Sequence, residues 1–218
     1  MKGLLIKDFK LMAVQKNFFA VILIMCILFL AAYEDPTFMI SYMVMMVSFF
    51  SISTISYDEY DNGGAFLFTL PITRKGYVTE KYLFGFLNML LAMVVISFPT
   101  CLSLALRHMT FSPEEFAMTL VGSCVTVILI LSFMIPLQLK FGAEKSRIAL
   151  MIMILAIFLS GYLIMRGKKG QVSLLLSSIV NYADVNPVIF IAAICFALVA
   201  LILISYTLSV KIMQKKEY

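Results

Sequence analysis

Six long stretches of this sequence contain neither a charged residue nor histidine, and they constrain the fold more than any other feature. A helix needs about 20 consecutive apolar residues to cross the hydrocarbon core of a bilayer. The stretches are residues 18–33, 37–56, 82–106, 116–139, 148–165 and 188–210. Because 62% of the chain is hydrophobic and only 13% is charged, a water-soluble domain is excluded. We therefore predict one all-α polytopic membrane domain, residues 1–218, with six transmembrane helices.

The positively charged residues indicate how these helices are oriented. Cytoplasmic loops of membrane proteins retain Lys and Arg, whereas outer loops carry few. Of the 17 Lys and Arg residues, 13 lie in the two termini and in the connections that follow stretches two and four. We predict that both termini are cytoplasmic, and we attribute the net charge of +5 to this topology rather than to nucleic-acid binding.

Residues 1–17, before the first stretch, combine positive charge with apolar residues at near-helical spacing. The apolar residues are Leu4, Leu5, Phe9 and Met12, and the charged ones are Lys2, Lys7, Lys10 and Lys16. This pattern is typical of an amphipathic helix that lies in the cytoplasmic interface of the membrane. The alternative is a basic flank that only sets the topology.

The connection 57–81, hereafter the long loop, is the longest on the cytoplasmic side. It starts with acidic residues and then runs Ala-Phe-Leu-Phe-Thr-Leu at 65–70 into Pro71. Six apolar or small residues are too few to span a membrane, and an exposed apolar patch usually marks an interaction site. We predict a short amphipathic helix that binds a protein partner. The alternative is an interfacial helix that lies against the membrane.

Four positions inside the stretches are candidates for movement or association. Pro99 and Pro136 lie in stretches three and four, where proline removes a backbone hydrogen bond and tends to kink a helix. They are candidate hinges, and the alternative is a static kink that neighbouring helices accommodate. Ser41 and Ser48 in stretch two are small enough to let two helices approach closely, which predicts a dimer seam.

Two further features are predicted on the outer side. Ser112-Pro113-Glu114-Glu115 matches a capping box, with Ser112 before the first helical residue and Glu115 reaching back to it. Residues 166–187 have a basic start followed by apolar residues at helical spacing. This pattern favours a short re-entrant helical segment in the outer leaflet before the last span.

The residue pattern excludes most catalytic chemistry. The chain has no GxxxxGK[ST] phosphate-binding loop, and His108 is its only histidine. Glu114-Glu115 is similar to the EExxxR signature of CAAX-type membrane proteases, but Thr119 stands in place of the arginine. The stretches also lack the acidic, basic and His residues that mark ion-coupled transport. We predict no enzyme and no cofactor in this chain, and a translocation path energised from elsewhere; a channel lined by scattered polar residues is the alternative.

The long loop carries the motifs of a known family. Tyr57-Asp58-Glu59 is followed by Leu-Pro-Ile-Thr-Arg-Lys-Gly-Tyr-Val at 70–78 and by Lys81-Tyr82-Leu83. This arrangement resembles the small permeases of the type-two ATP-binding-cassette exporter family, which includes phenol-soluble modulin exporter permeases. The start, Met-Lys-Gly-Leu-Leu-Ile-Lys-Asp, is similar to the N-terminal elbow helix of that group. Gly63-Gly64 departs from the bulky residues of many relatives.

The resemblance implies a partner and a docking site. In that family two permease subunits, identical or different, form the core, and each binds a separate ATPase through the coupling helix after span two. The ATPase subunits hold the ATP and Mg²⁺. Carried onto this chain, the docking residues are Asp58, Glu59, Asp61, Phe66, Leu67, Phe68, Leu70, Pro71 and Arg74.

The function that the resemblance implies is the membrane subunit of an ATP-driven exporter in the bacterial plasma membrane. Its expected substrates are amphipathic or antimicrobial-type peptides, or lipid-like compounds, because Met- and Phe-rich surfaces adapt to varied hydrophobic ligands. The alternative is a non-transporting scaffold or sensor subunit that binds a cytoplasmic partner through the same loop.

Overall fold

The computed structural model describes residues 2–33, 36–60, 63–107, 112–167 and 187–216, and nearly all of them are helical. The prediction of an all-α fold is confirmed for these residues. The predicted re-entrant segment falls almost entirely at 168–186, and Asp61 and His108 also lie outside the described residues. The helices are α1 (Lys2–Val14), α2 (Lys16–Ala32), α3 (Thr37–Glu59), α4 (Gly63–Leu67), α5 (Arg74–Arg107), α6 (Pro113–Gly167) and α7 (Pro187–Lys215).

Within the described residues, four helical segments are long and apolar enough to cross a membrane. They are Thr37–Glu59, Arg74–Leu102, Pro113–Gly142 and Ile191–Lys215. These segments match the predicted spans two, three, four and six. The predicted first span corresponds to α2, which meets the same criterion only when joined to α1. The predicted fifth span lies in the second part of α6, so the count of six spans stays a prediction.

A helix does form before the first predicted span. α1 and α2 are separated by Gln15 alone and are bent by 63° relative to each other. The Gln15 side chain donates a hydrogen bond to the Tyr57 hydroxyl at 3.0 Å, which holds this corner against the end of α3. The position of α1 in the membrane interface stays a prediction.

α3 is the central helix of the bundle. It packs against α2, α5 and α6, while α7 covers α5 and α6 from the other side. Of the four candidate spans, α3 has the largest buried share and α7 the smallest. α3 is rich in serine, and small side chains let neighbouring helices approach closely in a membrane.

Polar side chains join α3 to its two main neighbours. The Asn88 amide of α5 donates to the Val47 carbonyl oxygen at 2.8 Å. On the other side, the Ser123 hydroxyl of α6 donates to the Ser41 hydroxyl at 3.1 Å. Ser48 is buried and donates to the Val44 carbonyl oxygen of its own helix. Ser41 and Ser48 thus take part in contacts within the chain, and the dimer seam predicted at these two residues stays a prediction.

A cluster of hydroxyl groups attaches α7 to the bundle. The Tyr82 hydroxyl of α5 lies 2.5 Å from the Ser205 hydroxyl and 3.0 Å from that of Ser209. Ser205 also donates to the Ser132 carbonyl oxygen of α6. Because a buried hydroxyl without a partner is costly, these contacts favour one rotational position of α7.

The break in α6 occurs at a glycine and not at a proline. Pro99 and Pro136 both lie within continuous helix, whereas Gly142 has φ 75° and ψ 176°. This backbone conformation is accessible essentially only to glycine. Gly142 therefore divides α6 into a first limb, 113–142, and a second limb, 143–167; the hinge role of the two prolines stays a prediction.

The predicted capping box at the start of α6 is confirmed. The Glu115 backbone N–H donates to the Ser112 hydroxyl at 3.1 Å, and the Ser112 backbone N–H donates to the Glu115 carboxylate at 3.2 Å. α6 begins at Pro113, where the missing N–H of proline costs nothing.

We expect Gly142→Ala to lower the free energy of unfolding by about 1–3 kcal/mol, because a Cβ strains the backbone at this φ and ψ. The measurement is denaturation in detergent micelles followed by circular dichroism. Gly122→Ala is the matched control, because Gly122 lies inside helix and a Cβ there meets nothing within 4 Å. Equal stability of the two variants would show that Gly142 does not set the break.

Candidate functional site

The long loop of the sequence is compact in the structure. α3 ends at Glu59, the five-residue helix α4 follows, and α5 begins at Arg74. Thr73 caps α5, since its hydroxyl accepts a hydrogen bond from the Gly76 backbone N–H at 3.0 Å, as expected of an N-cap residue. The connections on both sides of α4 are short, so α4 lies close to the end of α3 and the start of α5.

The aromatic residues of the loop face in opposite directions. Phe66 is 71% exposed and Leu70 is 45% exposed. Leu67 and Phe68 instead pack against the hydrophobic core, and the Phe68 ring meets the Tyr77 ring edge-on, with centroids 5.8 Å apart. α4 is thus attached to the bundle by Leu67 and Phe68, and it presents Phe66 and Leu70 to its surroundings.

Two of the acidic residues predicted for the docking site, Asp58 and Glu59, are paired with Lys residues of the same chain. Asp58 and Glu59 belong to the last turn of α3. Asp58 is 9% exposed and is paired inside the chain, and Glu59 pairs with Lys216 at 2.5 Å. In this structure Asp58 therefore joins helices together and does not line the exposed surface of α4.

Asp58 belongs to a buried cluster of charged residues, hereafter the Lys81 cluster. The Lys81 ammonium lies 2.5 Å from an Asp8 carboxylate oxygen, 2.7 Å from Asp58 and 3.7 Å from Glu80. Lys7 pairs with Asp58 and lies 3.2 Å from Asp8. The side chains of Lys81, Asp8 and Glu80 are fully buried. The cluster joins α1, the end of α3 and the start of α5.

Uncharged groups complete the surroundings of Lys81. The Tyr77 hydroxyl donates to Asp58 at 3.1 Å, and the Lys81 ammonium donates to the Thr54 hydroxyl at 3.1 Å. The ammonium also lies 5.2 Å from the centre of the Tyr77 ring, within the range of a cation–π interaction. Neither carboxylate oxygen of Glu80 has a hydrogen-bond partner among the described residues, and the same holds for Asp8 Oδ1.

Sequence reasoning missed Asp8 and Lys81 as partners. The sequence pattern assigns no partner to Asp8, and it gives Lys81 a place in the positive-charge count and in the family motif but not in an ion pair. One signal was available: Asp8 is the only acidic residue in the first 33 positions. A lone carboxylate in a basic, apolar helix is a candidate for a buried pair, since unpaired burial of a charge is costly.

The chain end is tied to the same end of the bundle. The Arg74 guanidinium donates to the carbonyl oxygens of Met213 and Gln214 at 3.2 and 2.6 Å. These carbonyls belong to the last turn of α7, where the regular helical hydrogen bonds end, and a cation there interacts favourably with the helix dipole. Lys216 also donates to the Leu139 carbonyl oxygen of α6 at 3.2 Å.

The residues of this site connect the ends of several helices. The Lys81 cluster and Arg74 link the ends of α1, α3, α5 and α7 around α4, and Lys216 adds α6. Among the described residues, no group of acidic, Cys or His side chains could hold a metal ion. The arrangement can carry a displacement of α4 to several long helices at once.

We expect Lys81→Met to lower the free energy of unfolding by about 3–5 kcal/mol, because it leaves two buried carboxylates with fewer positive partners. Detergent-solubilised protein unfolded with denaturant and followed by circular dichroism measures the effect. Lys75→Met is the control at an exposed position six residues earlier. Adding Asp58→Asn to Lys81→Met should restore part of the loss, and the absence of any recovery would contradict the pairing.

One protein family matches the chain over almost its full length. Its description is ABC-2 family transporter protein, and the match covers residues 3–214. The resemblance that the long loop predicts is thereby confirmed at the level of the family. No curated protein and no solved structure matches the chain.

Proposed function

This chain belongs to the ABC-2 transporter family, and from that premise we propose that it is the membrane-spanning subunit of an ATP-driven exporter. A separate ATPase subunit binds and hydrolyses ATP with Mg²⁺, because the chain itself has no phosphate-binding loop. A second permease subunit, identical or different, completes the translocation path. The expected substrates are amphipathic peptides or lipid-like compounds.

The exposed side of α4 carries this proposal. Phe66 in α4 and Leu70, which follows α4 and precedes Pro71, present exposed apolar surface at the end of the bundle. Exposed aromatic side chains are typical anchors of protein interfaces, where they fill pockets of the partner. We assign ATPase docking to Phe66, Leu70 and Pro71, and the attachment of α4 to Leu67 and Phe68.

A displacement of α4 has a direct route into the bundle. Phe68 packs on Tyr77, and the Tyr77 hydroxyl binds Asp58 of the Lys81 cluster. Arg74 connects the start of α5 to the end of α7. Closure of two ATPase subunits would therefore move the ends of several helices together, as alternation between inward-facing and outward-facing states requires.

The orientation follows from the same assignment. An ATPase reaches α4 only from the cytoplasm, so the Lys81 cluster and both termini lie on the cytoplasmic side of the bacterial plasma membrane. The 13 Lys and Arg residues in the two termini and the connections on that side support this orientation.

We expect Phe66→Asp to remove the ATPase subunit without unfolding the permease, because Phe66 is exposed and makes no core contact. Tagged permease is purified from its native membrane, and the ATPase is detected by labelling with azido-ATP. Labelling should fall at least about tenfold, as for loss of an interface anchor. Thr73→Asp is the control, because Thr73 is exposed on the same loop and Asp also serves as an N-cap residue there.

Phe68→Asp has a different expected outcome, because Phe68 packs against the core. It should lower thermal stability and detach α4 as well as weaken ATPase binding. An ATPase that stays bound to well-folded Phe66→Asp permease would contradict docking through this face. ATP-dependent uptake of a fluorescent amphipathic peptide into inside-out vesicles separates an exporter from a scaffold, since a scaffold retains the ATPase without uptake.

A reporter fused to the C-terminus tests the orientation. We expect a fusion to green fluorescent protein to be fluorescent and a fusion to alkaline phosphatase to be inactive, because the phosphatase requires an oxidising outer compartment. Active phosphatase would place α4 outside the cell and would contradict the proposed ATPase docking.

A further inference from the structure

A cleft separates α3 from α6 at the end of the bundle that carries α4. It consists of two adjoining cavities of about 280 and 300 Å³ that share Ser53, Ser56 and Arg147. Their combined volume lies within the range of small-molecule sites, about 300–1,000 Å³. The cleft lies within one chain, so a second subunit is not needed to form it.

The break at Gly142 creates this cleft. Gln138 and Met134 come from the first limb of α6, and Arg147 and Met151 come from the second limb. A continuous helix would carry these two groups along one axis and away from each other. The positive φ of Gly142 instead brings both limbs against α3.

The interior of the cleft contains an unpartnered hydrogen-bond acceptor. Gln138 is 2% exposed, and its amide nitrogen donates to the Ser56 hydroxyl at 2.5 Å. Its carbonyl oxygen Oε1 is buried and has no hydrogen-bond partner among the described residues. Leaving such an acceptor unpaired costs free energy, and a ligand with an N–H group would satisfy it.

A cation lies on the same cleft. Arg147 is exposed, and within the described part of the chain its guanidinium forms neither an ion pair nor a hydrogen bond. The hydroxyl-bearing residues Tyr57 and Tyr60 stand beside it at the mouth. A guanidinium binds a carboxylate through two parallel hydrogen bonds, so the mouth favours an anionic group.

The deeper wall of the cleft is apolar. Phe49, Ile52 and Met134 line it, whereas Met151, which also borders the cleft, is 69% exposed. Apolar surface of this kind accepts an aliphatic or aromatic side chain, and the two methionines adapt to its shape. The polarity thus changes along the cleft, from a cation and hydroxyl groups at the mouth to hydrocarbon inside.

We propose that this cleft binds the C-terminal end of an apolar peptide. The peptide carboxylate pairs with Arg147, a backbone N–H donates to Gln138 Oε1, and the last side chain packs against Phe49 and Met134. An ionised fatty acid supplies the carboxylate and the chain but has no N–H donor for Gln138. The site rests on the proposed export function and narrows its substrates to peptides with a free carboxyl end.

Binding is tested with the permease alone in phosphatidylcholine nanodiscs, without ATPase. The probes are acetyl-Leu-Leu-Phe with a free carboxylate, the same peptide as its C-terminal amide, and decanoate. We expect the amide to bind about tenfold more weakly than the acid, the size of a lost charged hydrogen bond. Decanoate should not displace the acid at the same concentration.

Two matched variants locate the carboxylate. Arg147→Gln should reduce the affinity for the acid about tenfold and leave that for the amide unchanged, since the arginine acts only on the charge. Lys145→Gln removes an exposed cation two positions away that does not line the cleft, and it should keep the preference for the acid.

Three results would overturn the proposal: equal binding of acid and amide, an equal loss of both with Arg147→Gln, or displacement of the peptide by decanoate. None of them depends on the ATPase. Phe66→Asp permease should still bind the acid, so failure of the docking surface and failure of the cleft are separate outcomes.

Discussion

The attraction between one ammonium group and two carboxylates organises the α4 end of this bundle. Lys81, Asp8 and Asp58 come from three different helices, and burial removes most of the water that would solvate them. Removing charges from water costs several kcal/mol per ion, and close partners recover this cost only in good geometry. Because the pairing tolerates little displacement, it holds α1, α3 and α5 in one relative position. Glu80 adds a third carboxyl group 3.7 Å away, and Lys7 adds a second ammonium group beside Asp8 and Asp58.

The exposed surface of α4 is connected to the buried Lys81 cluster. Tyr77 packs its ring against Phe68 and gives its hydroxyl to Asp58. Tyr77 therefore connects the segment that carries α4 directly to the Lys81 cluster. Arg74, three residues earlier in the chain, holds the final carbonyls of α7. Tyr77 and Arg74 therefore connect the segment that carries α4 to the ends of α3 and α7.

Hydropathy predicts the helices well because the length of an uncharged stretch is a local property of the sequence. The capping box at Ser112 is predicted for the same reason, since both partners lie within one turn. Contacts between distant residues are not encoded locally. The charge of Asp58 predicts a position in the loop, yet Asp58 lies in the last turn of α3 beside Lys81. Pro99 and Pro136 lie inside continuous helix, and Gly142 supplies the break in α6 through its backbone angles.

The short connection before α4 limits how far this helix can travel. Three residues, 60–62, separate the end of α3 from the start of α4. Fully extended, the chain from Glu59 to Gly63 reaches at most about 14 Å. The connection therefore keeps the start of α4 close to the end of α3, and it is too short to allow a large displacement of α4 alone. Any partner that carries α4 beyond that reach must also unwind or pull α3, the most buried of the candidate spans.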